Sequence, residues 1–107
     1  MKSALFLSLS VLFASPSFAF TAWGNVDCGH WLKPTSPAQL QIQRAWLMGY
    51  LSGVNARQAA DKPDTLSKLS SPEQAYVWMD KFCQKSPLEK TATGAKQLFK
   101  ELAGKNE

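Results

Sequence analysis

A Ser-Pro pair followed by Gln or Glu occurs three times in this chain, and each occurrence signals the start of a helix. The motifs are Ser36-Pro37-Ala38-Gln39, Ser71-Pro72-Glu73-Gln74 and Ser86-Pro87-Leu88-Glu89. Serine is a favoured N-cap, and proline suits the first helical position because its missing N–H would be unsatisfied there. Gln or Glu at the third helical position, which is the fourth residue of each motif, completes a capping box. The sequence therefore predicts helices that begin near residues 37, 72 and 87.

Apolar residues follow each start with helical spacing, and no stretch alternates with the period of two that is typical of a strand. The predicted helices run over 37–60, 72–85 and 87–103. In the third, Leu88 is expected to face inward and Gly104 to be the C-cap. A helical turn is expected around 27–32. We therefore predict an all-α fold, a small helical bundle of three main helices plus a short N-terminal helical turn.

The first helix carries the densest apolar run outside the N-terminus, over 45–55. One apolar stripe runs through Ile42, Trp46, Gly49, Tyr50 and Gly53, and a second runs through Leu40, Leu47, Leu51 and Val54. Two stripes predict a helix at the centre of the bundle. Gly49 and Gly53 leave a patch without side chains, so we expect another helix or a second subunit to cross there. In the second helix, Trp78 is expected on the buried face.

The N-terminus has the three parts of a secretory signal peptide. These are Lys2, an apolar run over 4–14, and small residues at Ser17 and Ala19. Cleavage is expected after Ala19, with Ala22 as the alternative, so the predicted organisation is a signal peptide over 1–19 and a single helical domain over 20–107. The apolar run is too short to span a bilayer. We expect export to the periplasm without stable membrane insertion.

Cys28 and Cys83 are the only cysteines, and export carries them into an oxidising compartment. We predict one disulfide between them. Closing a loop of about 56 residues stabilises a fold by roughly 4 kcal/mol in the chain-entropy model, which matters because a chain this small buries a marginal core. The alternative is a pair of free or metal-binding thiols, but a metal site needs more ligands than the single histidine, His30, supplies.

Charge and motifs narrow the function. The chain has 12 Lys and Arg against 8 Asp and Glu, a formal net charge of +4, which falls by one to +3 without Lys2. The basic residues are spread out instead of forming a stripe with aromatics, which argues against a nucleic-acid partner. No phosphate loop, metal-ligand spacing or nucleophile with a base is identifiable, so catalysis, a cofactor and a metal are not expected. Asp27 and His30 could share a helix face, but a lone histidine is more often an ordinary surface or packing residue.

Several residues in a fixed order give the chain a family resemblance over about 28–102. They are Cys28, Trp46, the run Gly49-Tyr50-Leu51-Ser52-Gly53, Asn55, Trp78, Asp80, Cys83 and Pro87-Leu88. This order resembles the Rap/Tai-type immunity proteins of type VI secretion systems, which are similar in size and single disulfide to the Hde acid-stress chaperones. The resemblance implies a periplasmic domain, often a homodimer, that neutralises a cognate peptidoglycan-degrading effector. Only scaffold positions match.

Two functions therefore follow as expectations. The first is a periplasmic immunity-type protein that binds a secreted cell-wall hydrolase or amidase. The alternative is an acid-activated chaperone, since protonation of the carboxylates and His30 would raise the net charge from +3 to about +12 and favour opening of the bundle. Trp23, Trp31 and Tyr76 lie outside the clear core stripes and are the candidate partner contacts, with plain packing as their other interpretation.

Overall fold

The computed structural model describes residues 24–58 and 61–104. Within these two ranges the chain forms helices and no strand: α1 (Cys28–Leu32), α2 (Pro37–Arg57), a 3₁₀ turn (Thr65–Lys68), α3 (Pro72–Lys85) and α4 (Thr91–Gly104). The predicted all-α class is confirmed. The predicted signal peptide and its cleavage site, together with Trp23, lie outside the described residues. None of the described helices is long and apolar enough to cross a membrane.

Helix α1 is the predicted N-terminal turn. It begins after Asp27, an N-cap whose carboxylate oxygen Oδ1 accepts a hydrogen bond from the His30 backbone N at 2.8 Å. Its buried residues are Cys28 and Trp31. Cys28 is bonded to Cys83 in the last turn of α3, with the two Cα atoms 5.0 Å apart. The predicted disulfide is confirmed, and it holds α1 against α3.

Helix α2 begins as predicted. Ser36 Oγ accepts a hydrogen bond from Gln39 N at 3.0 Å, and a proline follows the cap. The helix ends at Arg57, before the predicted end at residue 60. Gln58 has extended backbone angles, and its side-chain Nε2 donates to the Pro63 carbonyl at 3.0 Å, so the chain turns away from the helix axis there.

Helix α2 is not the centre of the bundle. Its buried residues are Gln43, Leu47 and Leu51, a single stripe that follows the second of the two predicted ones. The first stripe faces solvent in part, since Ile42 is 56% exposed and both of its glycines are exposed. The prediction of a helix buried on two sides is therefore wrong. Among the described residues, the other helices pack against one side of α2.

The segment after α2 is held by side chains at the end of that helix. Asn55 Nδ2 donates to Asp64 Oδ1 at 2.8 Å, and Asn55 Oδ1 accepts from Leu66 N at 3.3 Å. At the end of the 3₁₀ turn, Lys68 Nζ donates to the Leu102 carbonyl at 2.7 Å. The turn therefore joins the C-terminal ends of α2 and α4.

Helix α3 has the predicted bounds, but no side chain caps the N–H groups of its first turn. Ser71 is the N-cap in extended conformation, but its side chain makes no capping hydrogen bond. Gln74 Oε1 instead accepts from Ser70 N at 2.7 Å. The buried residues of α3 are Ala75, Met79 and Cys83, as the helical spacing indicates.

Helix α4 begins at Thr91 instead of residue 87, and the prediction that Ser86 starts it is wrong. Ser86 ends α3, where its backbone N donates to the Phe82 carbonyl at 2.8 Å. The next residues form a turn, closed by Glu89 N donating to the Ser86 carbonyl at 3.1 Å. Leu88, predicted to face inward, is 97% exposed at this turn.

The start of α4 is set by residues 25–28 instead of by the local motif. Thr91 N donates to the Val26 carbonyl at 2.8 Å, beside an isolated antiparallel bridge. Asn25 Oδ1 accepts from Ala92 N at 2.8 Å and so caps the helix from 67 positions away. The buried Thr91 hydroxyl also accepts from Val26 N at 3.3 Å. These bonds unite the N-terminal segment with α4.

Candidate functional site

The glycine pair predicted as a helix-packing site lies on open surface. A Cβ atom added at Gly49 or at Gly53 would meet no atom within 4 Å beyond its own neighbourhood in the helix. No helix of the described chain crosses there, so this part of the prediction is wrong, because α2 turns Leu47 and Leu51 toward the core instead. A crossing by a second subunit stays a prediction.

Trp46 and Tyr50 of the same predicted motif pack within the chain. Their rings stack with centroids 5.3 Å apart, and both residues are half-buried. Gly24 lies against the indole: its φ is +91°, and a Cβ there would come within 2.5 Å of Trp46 Cδ1. Burial raises the pKa of the Tyr50 hydroxyl. The pair fills the space between α2 and the N-terminal segment.

Trp31, predicted as a partner contact, is a core residue. Its side chain is 4% exposed, and its indole Nε1 donates to Asp80 Oδ1 on α3 at 2.8 Å. Its carbonyl accepts from Nε2 of the buried Gln43 on α2 at 3.0 Å. Trp31 thus connects α1 to α2 and α3, and the prediction of a surface contact is wrong. The five-residue length of α1 leaves too little periodicity to identify its buried face from sequence.

Tyr76, the second predicted contact, already has a partner inside the chain. The guanidinium carbon of Arg44 lies 4.7 Å from the Tyr76 ring centroid, a cation–π contact that joins α2 to α3. The ring is half-buried against the core. Tyr76 therefore contributes to packing between helices. Trp23, the third predicted contact, lies outside the described residues.

Trp78 lies half-buried at the outer edge of the contact between α3 and α4. Its ring stacks on Phe82, with centroids 5.6 Å and planes 10° apart. Its indole Nε1 donates to Glu101 Oε1 on α4 at 3.1 Å. Stacking and the hydrogen bond together hold the indole in one orientation, and an open groove lies on each side of it.

The two grooves differ in charge. The acidic groove, of about 390 Å³, has an apolar floor and two carboxylates at its rim: Leu69, Val77, Leu98 and Leu102 with Glu73 and Glu101. The basic groove, of about 770 Å³, contains Phe82, Lys81 and Lys85. Trp78 and Glu101 line both. This face of α3 and α4 is the candidate binding surface. Trp78, predicted on the buried face of α3, is only half-buried there.

The exposed pair Asp27 and His30 is accounted for by capping. His30 Nδ1 lies 3.1 Å from Asp27 Oδ1. Two hydrogen bonds hold the pKa of the Asp27 carboxyl below its ordinary value. The larger effect comes from the His30 backbone N and the smaller from the His30 ring. Across residues 24–58 and 61–104, no group of three His, Cys, Asp or Glu is placed to hold a metal ion.

Gly94 lies close against side chains of α3, and no sequence pattern had singled it out. A Cβ there would come within 2.7 Å of Met79 Sδ and of Phe82 Cδ2, both on α3. The signal that could have found it is the run of small residues at the start of α4. In that run Thr91, Ala92, Gly94 and Ala95 are buried.

Comparisons of the chain with protein-family models, with curated proteins and with solved structures give no significant match. The resemblance to the Rap/Tai-type immunity proteins thus rests on the residues quoted for it.

Proposed function

We propose that this protein is an exported, periplasmic binding protein of the immunity type, which neutralises a cognate secreted effector that degrades the cell wall. The observation that carries the proposal is the face of α3 and α4, where Trp78, oriented by Phe82 and Glu101, stands between two open grooves. Aromatic side chains held rigidly are common anchors of protein interfaces, because they lose little entropy on binding. The family resemblance supplies the class of partner, a peptidoglycan hydrolase or amidase.

The scaffold behind this face suits such a role. The disulfide ties α1 to α3, and Trp31 ties α1 to both α2 and α3. A scaffold that is ordered before binding loses less conformational freedom in the complex. A disulfide also persists in an oxidising compartment, which supports export.

Neutralisation of this kind requires no chemistry from the binder. A standard interface covers about 800 Å² on each partner, which is enough to close the cleft of a hydrolase against a polymer substrate. We therefore expect inhibition to be stoichiometric, complete at one binder per effector and independent of any added cofactor.

The test is co-expression with each exported cell-wall hydrolase encoded beside this protein. Cells that export both proteins should survive, whereas a variant lacking residues 1–19 should give no protection, since it would not reach the hydrolase. A catalytically inactive hydrolase is the control for toxicity. The proposal is wrong if the purified protein neither binds nor inhibits any of these hydrolases.

An acid-stress chaperone is the second candidate, and Asp27 is the observation that favours it. Hydrogen bonds from His30 lower its pKa, so its capping of α1 is lost only as the pH falls below the ordinary range of a carboxyl group. Loss of this cap would weaken the first turn of α1, which the disulfide still ties to α3. The purified protein should then suppress aggregation of unfolded clients at about pH 2–3 and not at neutral pH. If the protein suppresses aggregation at neither pH, this candidate is wrong.

A further inference from the structure

The described residues leave part of the apolar lining of the acidic groove uncovered. Val77 is 52% exposed, and the half-buried side chains of Trp78 and Leu102 continue the apolar surface toward α4, whereas Leu98 in the same lining is buried. Single exposed apolar side chains are ordinary on protein surfaces. Here Val77 extends a groove of about 390 Å³, and a continuous apolar surface gains free energy when a partner covers it.

Both charged residues that line this groove are carboxylates, Glu73 on α3 and Glu101 on α4. The whole chain carries a formal net charge of +4, so the charge of the groove lining is opposite in sign to the net charge of the protein. Lys81 and Lys85 of α3 line the basic groove beyond Trp78. Lys68, outside the lining, donates its Nζ to the carbonyl of the groove residue Leu102. The acidic groove therefore offers negative charge and apolar surface together.

We propose that the acidic groove binds a segment of the partner protein that combines apolar side chains with a lysine or arginine. The apolar side chains cover Val77 and Trp78, and the cation lies between Glu73 and Glu101. This inference rests on the proposed function for the partner, a secreted effector. It adds the surface that the effector meets and the chemistry that this surface recognises.

The local geometry favours a cation at this place. Glu101 is already oriented by the Trp78 indole at 3.1 Å, and its carboxylate retains acceptor sites for a second donor. An acceptor and an aromatic ring that are fixed before binding lower the entropy cost of the complex. Beyond Trp78, Lys81 and Lys85 repel a cation, so the basic end of the bound segment is directed toward Glu73.

The first experiment measures binding of the neighbouring hydrolase by the mature protein and by two groove variants, Val77→Arg and Glu73→Lys. Both positions are exposed, so the fold should persist, which circular dichroism checks. We expect each variant to weaken binding by about tenfold or more. Glu89→Lys makes the same charge change at an exposed position of the turn after α3, outside the groove, and should stay within about twofold of wild type.

The second experiment tests the groove without the hydrolase. The probes are two capped amphipathic helical peptides of equal length and pattern, one of leucine and lysine and one of leucine and glutamate. Wild type should bind the lysine peptide about tenfold more tightly than the glutamate peptide, although the net charge of the protein is positive. Tryptophan fluorescence reports the binding, and Trp78→Phe identifies the responding indole. Glu73→Lys should abolish the preference.

Failure of the inference and failure of the proposed function are distinguishable. If no hydrolase binds but the lysine peptide shows the expected preference, the function is wrong and the groove chemistry stands. Hydrolase binding that survives both groove variants overturns the inference alone. Equal affinity for the two peptides, or preference for the glutamate peptide, also overturns it. Sedimentation gives a further check. If wild type is a dimer and Val77→Arg dissociates it, the inference is also overturned, because the groove would then bind a second copy of this chain.

Discussion

Gly94 lies where α4 crosses α3, and its missing side chain leaves room for Met79 and Phe82. We expect Gly94→Ala to lower the free energy of unfolding by about 1–3 kcal/mol, because overpacking outweighs the roughly 1 kcal/mol that alanine gains in helix propensity. Urea denaturation at neutral pH measures the change. Gly53→Ala is the matched control on open surface and should raise stability by up to about 1 kcal/mol. Equal stabilisation by both substitutions would show that Met79 and Phe82 move aside for the added methyl group without a cost in stability.

Asp27 determines how the N-terminal turn responds to acid. Because hydrogen bonds from His30 lower its pKa in the folded state, its contribution to stability is present above the ordinary value of 3.8. That contribution is lost as the pH falls further, through the lowered folded-state pKa. Asp27→Ala should therefore melt at a lower temperature than wild type at neutral pH, and the gap should narrow below about pH 4.

Thermal unfolding followed by circular dichroism over a range of pH measures this gap. Asp27→Asn is the control, because asparagine is also a good N-cap but does not titrate. Its melting temperature should change less than that of wild type in the same acidic interval. A gap between wild type and Asp27→Ala that is constant down to the lowest pH contradicts the assignment.

At the scale of elements, the start of α4 shows a local motif overridden by distant contacts. The Ser86 cap would have contributed about 1 kcal/mol. The N-terminal segment instead supplies two backbone hydrogen bonds, from Cys28 N to the Glu89 carbonyl and from Thr91 N to the Val26 carbonyl. The Asn25 cap adds a third. At about 0.5–1.5 kcal/mol each, these outweigh one local cap.

Two alanine substitutions separate these alternatives for α4. Asn25→Ala should lower the free energy of unfolding by about 0.5–2 kcal/mol, since Ala92 N loses its acceptor. Ser86→Ala should change it by less than about 0.5 kcal/mol. Chemical denaturation of both variants gives the comparison. If Ser86→Ala proves the more damaging substitution, the helix begins at the local motif in solution and not at Thr91.

At the scale of the whole molecule, the disulfide links the N-terminal segment to the second half of the chain. Cys28 and Cys83 are 55 positions apart, so replacing both with serine should lower stability by roughly 4 kcal/mol in the chain-entropy model. A loss of that size is a large part of the total stability of a small domain. Urea denaturation of the double variant measures it.

The covalent state itself is checked by mass spectrometry of the non-reduced protein. The intact mass should be about two hydrogens below that of the reduced chain, with the peptides containing Cys28 and Cys83 linked. Free thiols in protein taken from an oxidising compartment contradict the bond. Wild-type stability in the double serine variant would show that hydrogen bonds and packing alone hold the bundle.

The amino-acid sequence by itself determined the helical class, the starts of α2 and α3, and the disulfide pairing. The helix starts follow from Ser and Pro at adjacent positions, because proline has a fixed φ that suits the first helical residue in both and the Ser36 side chain also caps α2. The pairing follows because Cys28 has only one other cysteine to bond with. These features need no knowledge of the tertiary fold.

Only the tertiary structure decided which stripe of α2 is buried, where α4 begins and where the candidate site lies. Both stripes of α2 are apolar, so periodicity cannot choose between them, and the choice depends on which face meets the other helices. The start of α4 depends on Asn25, and the site depends on Trp78 reaching Glu101 across two helices. Each of these contacts joins residues distant in sequence, whereas a sequence pattern specifies only the preferences of neighbours.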